Sequence, residues 1–216
     1  FQAARLVYAE LTSPKEAIER LAQLLDETVQ HEESFLMLEE MIDQQAEAVL
    51  ASDVLTKSLE RIGDFGRLVE SLRRLLNVTE KGSEQAALWM RIGTIYQDVF
   101  MDETSAFEAF AYALRAAPLT ENAYPFMLKI IAQAEAWPRL AEELELALNE
   151  VATADLDDLG GTLAPISLHQ WAAGIYEQNL GHDQEAIRHW EAIRALVTSQ
   201  DAIYQEALIT LERLYE

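Results

Sequence analysis

The side chains best suited to acid–base or metal chemistry are four histidines, and three of them fall in one stretch. His169, His182 and His189 lie there with Asp183 and Glu185 alongside. His182 and Asp183 read as a turn, and His189 follows about two helical turns later, so a joint site is geometrically open beside the plainer reading of polar surface. His31-Glu32-Glu33 lacks the second histidine that a zinc-protease helix carries four residues on. Asp155, Asp157 and Asp158, followed by Gly160-Gly161, have the composition of a calcium loop without its ordered alternation or closing glutamate. There is no cysteine, no phosphate-cradling glycine loop and no serine elbow. The expectation is a chain that is not an enzyme, with no catalytic residue, no metal and no cofactor.

Charge says more than chemistry does. The 216 residues carry 38 Asp and Glu against 16 Lys and Arg, a formal charge of −22. Such a surface repels nucleic acid and anionic lipid and draws in basic partners over the screening length of about 8 Å at physiological salt. Leu140 through Ile187 contain no Lys or Arg at all. Glu142, Glu143, Glu145, Asp155, Asp157 and Asp158 in that window form the candidate acidic surface, either a solvated face or a dock for a basic peptide. No apolar stretch approaches the roughly 18 residues of a membrane span, and nothing at Phe1 resembles a signal peptide. A soluble, cytoplasmic chain is the expectation, and a first residue other than Met suggests a segment of a longer protein.

The elements that must position these residues are helices. Gly and Pro are few, at 8 and 5, and half of the residues are hydrophobic. A large side chain and a small one recur together about every 34 residues. The best copy runs Trp89, Ile92, Gly93, Tyr96, then Ala106, Phe110, Ala113 and Pro118. Tyr124, Met127, Leu128, Ile131, Leu140, Leu144 and Ala147 form a second copy, which residues 49–82 repeat at an offset of 72, Phe65 for Trp137 and Leu68 for Leu140. Another near Ile166–Ser199 carries His169, Ala172, Tyr176, Ala186 and Trp190. Ser13, Pro14 and Glu16 read as a capping box opening a helix to about Val29. Between Val29 and Phe65 the spacing allows either two helices, Glu32–Gln45 and Glu47–Ile62, or one long helix across the gap.

This pattern resembles the tetratricopeptide repeat, whose helix pairs carry large residues at positions 4, 11 and 24 and small ones at 8, 20 and 27. Trp89, Gly93, Tyr96, Ala106, Phe110 and Ala113 take those places once one extra residue is allowed in the Phe100–Asp102 turn. Tyr8 takes position 11 of a partial first copy, and Tyr204, Ala207, Leu208 and Leu211 open a partial last one. The resemblance implies an all-α solenoid of antiparallel helix pairs in a right-handed superhelix, with about 10–11 helices. It would form one domain, 1–216, with repeats near 1–31 (partial), 49–82, 86–120, 121–154, 166–199 and 200–216 (partial, or a cap). Residues 32–48 would be irregular and 154–165 an insertion loop.

In that family a concave groove lined by first-helix positions 2, 5, 9 and 12 holds a peptide. Here these positions place Met90, Thr94, Gln97, Asn122, Lys129, Gln170 and Glu177 as the candidate groove. The Lys and Asn of the chaperone-tail clamp are absent from positions 5 and 9 of these copies apart from Lys129 at a ninth position, so that ligand is not expected. The expected function is a protein-interaction scaffold for a protein or peptide, a basic one being favoured by the charge, in the groove or on the acidic surface. The alternatives are a regulatory or assembly segment of a larger protein and a solenoid that self-assembles through its ends.

Overall fold

The computed structural model describes residues 1, 2, 4, 5, 13–28, 30–153 and 161–216. Among them the regular structure is entirely helical. The helices are α1 (Pro14–Glu27), α2 (Glu32–Asp43), α3 (Ala48–Ile62), α4 (Phe65–Val78), α5 (Gly82–Ile95) and α6 (Glu103–Ala116). They continue as α7 (Ala123–Ala134), α8 (Trp137–Thr153), α9 (Leu163–Gly174), α10 (Asp183–Leu196) and α11 (Ala202–Tyr215). Two of them widen into π-helix at their ends, α5 over Tyr96–Phe100 and α9 over Ile175–Leu180.

The chain divides into two compact units, Phe1–Met101 and Asp102–Glu216. In the first, α1 packs on α2 and α3, α2 on α3 and α4, and α4 on α3 and α5. The second follows the same rule: α6 packs on α7 and α8, α8 on α7 and α9, and α10 on α9 and α11. Within each unit, every helix therefore meets its immediate neighbours in sequence, as the short connections demand; Gly63 and Asp64 alone separate α3 from α4. Leu21, Leu38, Met41, Leu55, Leu59, Leu68 and Leu72 are fully buried in the first unit, and Phe107, Phe110, Met127, Leu140 and Leu144 in the second. Trp89, one of the recurring large residues, is only half-buried, and the deep aromatic anchors are Phe107 and Phe110.

The stretch between Val29 and Phe65 holds two helices, α2 and α3, and not one long one. Gln45 and Glu47 both take left-handed backbone, at φ 56° and 54°, while the Ala46 amide donates back to the Met41 carbonyl at 2.9 Å. Two such residues reverse the chain at a cost of roughly 1–2 kcal/mol each, which the packing of α2 against α3 and α4 offsets. The capping box is not formed. Ser13 makes no side-chain cap bond, and the Glu16 carboxylate accepts from Arg20 at 2.8 Å in place of the Ser13 amide. Asp64 and Asp102 do cap, accepting from the Arg67 and Ser105 amides.

The extra residue expected in the Phe100–Asp102 turn lies within the preceding helix, as the π-helical segment Tyr96–Phe100. The same device recurs at Ile175–Leu180. From there the two copies run in register 80 residues apart: Met101 and Gly181 both left-handed, then Glu103–Ala116 and Asp183–Leu196. Tyr8 and Val29 lie outside the described residues, as do Asp155, Asp157, Asp158 and Gly160 of the expected insertion loop. Leu163 to Pro165, expected within that loop, instead begin α9, whose first turn accommodates the proline.

Candidate functional site, a buried histidine pair beside an open cavity

Three helices of the second unit converge on a place where polar side chains are drawn into the packing. The α8 helix brings Glu145, α9 brings His169 and, from its π-helical end, Tyr176, and α10 brings Arg188 and His189. The apolar face of α8 (Leu140, Leu144, Ala147, Leu148, Val151) sets its rotation, which leaves Glu145 half-buried at the flank of that face. On α10, Ala186, Ile187, Trp190 and Ile193 form the buried stripe, and His189 lies inside it at 1 % exposure.

His169 Nδ1 and His189 Nδ1 are 2.9 Å apart, and His189 Nε2 lies 3.1 Å from Glu145 Oε1. A carboxylate only accepts, so neutral His189 carries its proton on Nε2 and donates it to Glu145. His189 Nδ1 is then an acceptor, and His169 must donate to it from its own Nδ1. By this elimination His169 Nε2 keeps its lone pair. Glu145 Oε1 also accepts from the Tyr176 hydroxyl at 3.3 Å and from Arg188. The rings lie in a row: His169 to His189 at 5.2 Å, His189 to Tyr176 at 5.5 Å, and Tyr176 to His182 at 6.3 Å between centroids.

Burial holds both histidines neutral. His169 is pushed down to about 4, by burial first and then by its neighbour His189. His189 is also lowered, burial outweighing the attraction of Glu145. Burial and then the charge of Glu145 raise the Tyr176 phenol.

A cavity of about 610 Å³ opens beside the pair. Leu148, Val151, Pro165, Ala192 and Leu196 supply its apolar wall, and Glu145, Asn149, His169, Arg188 and His189 its polar one. The volume falls in the range of about 300–1,000 Å³ typical of ligand pockets between helices.

The expected groove residues are elsewhere, and none of them lines this cavity. Met90, Thr94 and Gln97 lie exposed or half-buried on α5 and its π-helical end. Asn122 precedes α7 in left-handed backbone at φ 67°, and Lys129 is exposed on α7. Gln170 is half-buried on α9, and Glu177 pairs with Arg213 at 2.7 Å. Of the expected acidic surface, Glu142 is exposed, Glu143 pairs with Arg115 at 2.6 Å, and Glu145 belongs to the histidine site.

His31 caps α2, accepting from the Ser34 amide at 3.2 Å. His182 joins His189 only through the ring of Tyr176, and Asp183 and Glu185 make no hydrogen bond to the pair. Among the described residues, no three His, Asp or Glu side chains converge as a metal site requires. The sequence reading missed Glu145 as the partner, because it stands 44 residues from His189 on another helix pair. One signal was present: Arg188 is the first cation after the uncharged-by-base stretch Leu140–Ile187, placed directly beside a histidine. No protein-family model matches the chain, and no curated protein is similar to it.

Proposed function

We propose that the chain is a non-catalytic interaction scaffold, a tetratricopeptide-like solenoid that binds a basic peptide or protein. The observation that carries the reading is the neighbour-on-neighbour packing of helices in both units, with one insertion repeated in register 80 residues apart. Arrays of such pairs have continuous faces and serve as binding surfaces. The charge supports a basic partner. Arg61, Arg67, Arg74, Arg91, Arg115, Arg139, Arg188 and Arg213 each pair with an acid on another element, which leaves the surplus of acid unneutralised.

In this reading Met90, Thr94, Gln97, Asn122, Lys129, Gln170 and Glu177 mark the groove, and Glu142 the acidic edge. The test is the affinity for matched basic and acidic peptides across a salt series. Basic peptides should bind more tightly and weaken as salt rises, and Glu142→Lys should weaken them further. Equal affinity for both peptide classes, or an affinity flat in salt, would refute the charge-steered reading.

A second reading, self-association, is favoured by α11, where Leu208 and Ile209 are exposed, Ile209 at 67 %. Light scattering over a concentration series reads it, and a mass that stays monomeric with Ile209→Lys and without it excludes that face.

No described helix is long and apolar enough to cross a membrane.

A further inference from the structure

The cavity beside the histidine pair joins an apolar wall to polar groups that the protein leaves unused. His169 Nε2 has no hydrogen-bond partner among the described residues, nor has the Asn149 side chain, and Arg188 commits only Nη2 to Glu145. An acceptor, a two-way amide and spare guanidinium donors thus stand over Leu148, Val151, Ala192 and Leu196. A bound group must present a donor to His169, an acceptor to Arg188 or Asn149, and an apolar body to the wall. The backbone amide of a residue with a large apolar side chain has all three. In sequence the stretch that supplies α8 and α9 is acidic, with ten Asp and Glu and no Lys or Arg from Leu140 through Ile187, so positive flanks are favoured.

We propose that this cavity is an anchor site for one large apolar side chain of a basic peptide, with an amide N–H of the peptide donating to His169 Nε2 and a carbonyl accepting from Arg188 or Asn149. The proposal rests on the peptide-binding reading above and places an anchor outside the groove residues. It also accounts for the pair. In the copy 80 residues upstream Trp89 and Ala109 hold the places of His169 and His189, so the helices themselves do not require imidazoles there. His189 holds the His169 tautomer through its Nδ1, with Glu145 fixing His189 in turn, which makes both of them positioning residues.

The probe is N-acetyl-L-tryptophan methylamide, titrated into the full chain labelled with ¹⁵N at histidine. Long-range ¹H–¹⁵N correlations read the tautomer of each ring and its response. Saturable shifts of His169 Nε2 are expected, with half-saturation below about 10 mM, as suits a ligand of this size. 3-Methylindole, the side chain alone, and N-acetylglycine methylamide, the backbone alone, should each bind at least about tenfold more weakly, the loss of one set of contacts. Ala192→Phe, which fills the cavity, should abolish the shifts while the helical circular dichroism persists, and His169→Phe should weaken binding about fivefold or more.

No saturable shift at His169, a fragment that binds as tightly as the whole probe, or undiminished binding by Ala192→Phe would each overturn the anchor. Should basic peptides still bind wild type and Ala192→Phe alike in the salt series, the scaffold reading survives and only the anchor falls. Should neither probe nor peptides bind the wild-type chain, both fall.

Discussion

Two stretches of this chain, 89–116 and 169–196, share a register and differ in what they place at equivalent positions. Each ends its first helix in a π-helical segment bearing a tyrosine, Tyr96 or Tyr176, and turns through a left-handed residue into a helix of equal length. The earlier copy has Trp89 and Ala109 where the later has His169 and His189. At the 72-residue offset Arg73 holds the place of Glu145. The Arg73 guanidinium donates to the Tyr96 hydroxyl at 3.5 Å, whereas the Tyr176 hydroxyl donates to Glu145 at 3.3 Å. One architecture therefore tolerates a packing solution and a polar one. The polar one costs desolvation at two imidazoles, and a helical pair that does not need it structurally points to a use for it.

The comparison breaks most visibly at the anchors of the second helices. Phe110→Ala should destabilise the chain by about 3–5 kcal/mol, as emptying a full aromatic site does. Trp190→Phe, at the equivalent place, should change stability by less than about 1.5 kcal/mol. Its indole Nε1 is buried with no hydrogen-bond partner among the described residues, so the lost volume is offset by removing an unsatisfied donor. Denaturant unfolding followed by circular dichroism measures both.

Next in size is Glu145→Ala, expected to cost about 1–3 kcal/mol because the buried His189 N–H loses its acceptor. Arg73→Ala, at the matching place, should cost less than about 0.5 kcal/mol, since that contact is long and exposed. Comparable losses from the two would contradict the division into polar and packing solutions.

Acid should separate the copies as well. An unfolded histidine takes its proton near pH 6.5, while His169 in the folded chain waits until about 4. Between those values the unfolded state binds more protons, so stability rises with pH and is lost as pH falls below 6.5. Partial exposure to solvent reduces the effect, which should amount to about 1–2 kcal/mol by pH 4. Unfolding free energies of the wild type and His169→Phe at pH 7, 5.5 and 4 isolate it from the carboxylates. A wild-type curve parallel to that of the variant would rule out a pair held neutral by burial.

The smallest expected effect is at the turns. Met101 stands in left-handed backbone at φ 54° and is 76 % exposed, where the later copy has Gly181 at φ 66°. Met101→Gly should stabilise by up to about 1 kcal/mol and Gly181→Ala should destabilise by a similar amount. Thermal unfolding of the pair of variants reads opposite shifts if the turns are equivalent.

The helices were readable from the chain because apolar spacing and scarce glycine and proline act locally. Pro14 opens α1 and Ile62 closes α3, as the spacing predicts. The choice between a break and one long helix after Val29 was not readable, since the break between α2 and α3 relies on left-handed Gln45 and Glu47, residues with no preference for that conformation. Likewise Ser13 and Glu16 have the spacing of a capping box, but Arg20 competes successfully for the glutamate. The site was half visible: His169 and His189 stood out as neighbours in one repeat, whereas Glu145 was one acid among many in its window.

Sequence by itself determined an acidic, helical chain with a recurring pattern of large and small residues, because charge, propensity and period belong to each segment alone. Tertiary structure decided which carboxylate meets the histidines, which ring nitrogen is left open, and that a cavity lies beside it. Those depend on how α8, α9 and α10 are rotated against one another. That rotation follows from burying Leu144, Leu168 and Ile193, one on each helix, a condition that no single segment contains.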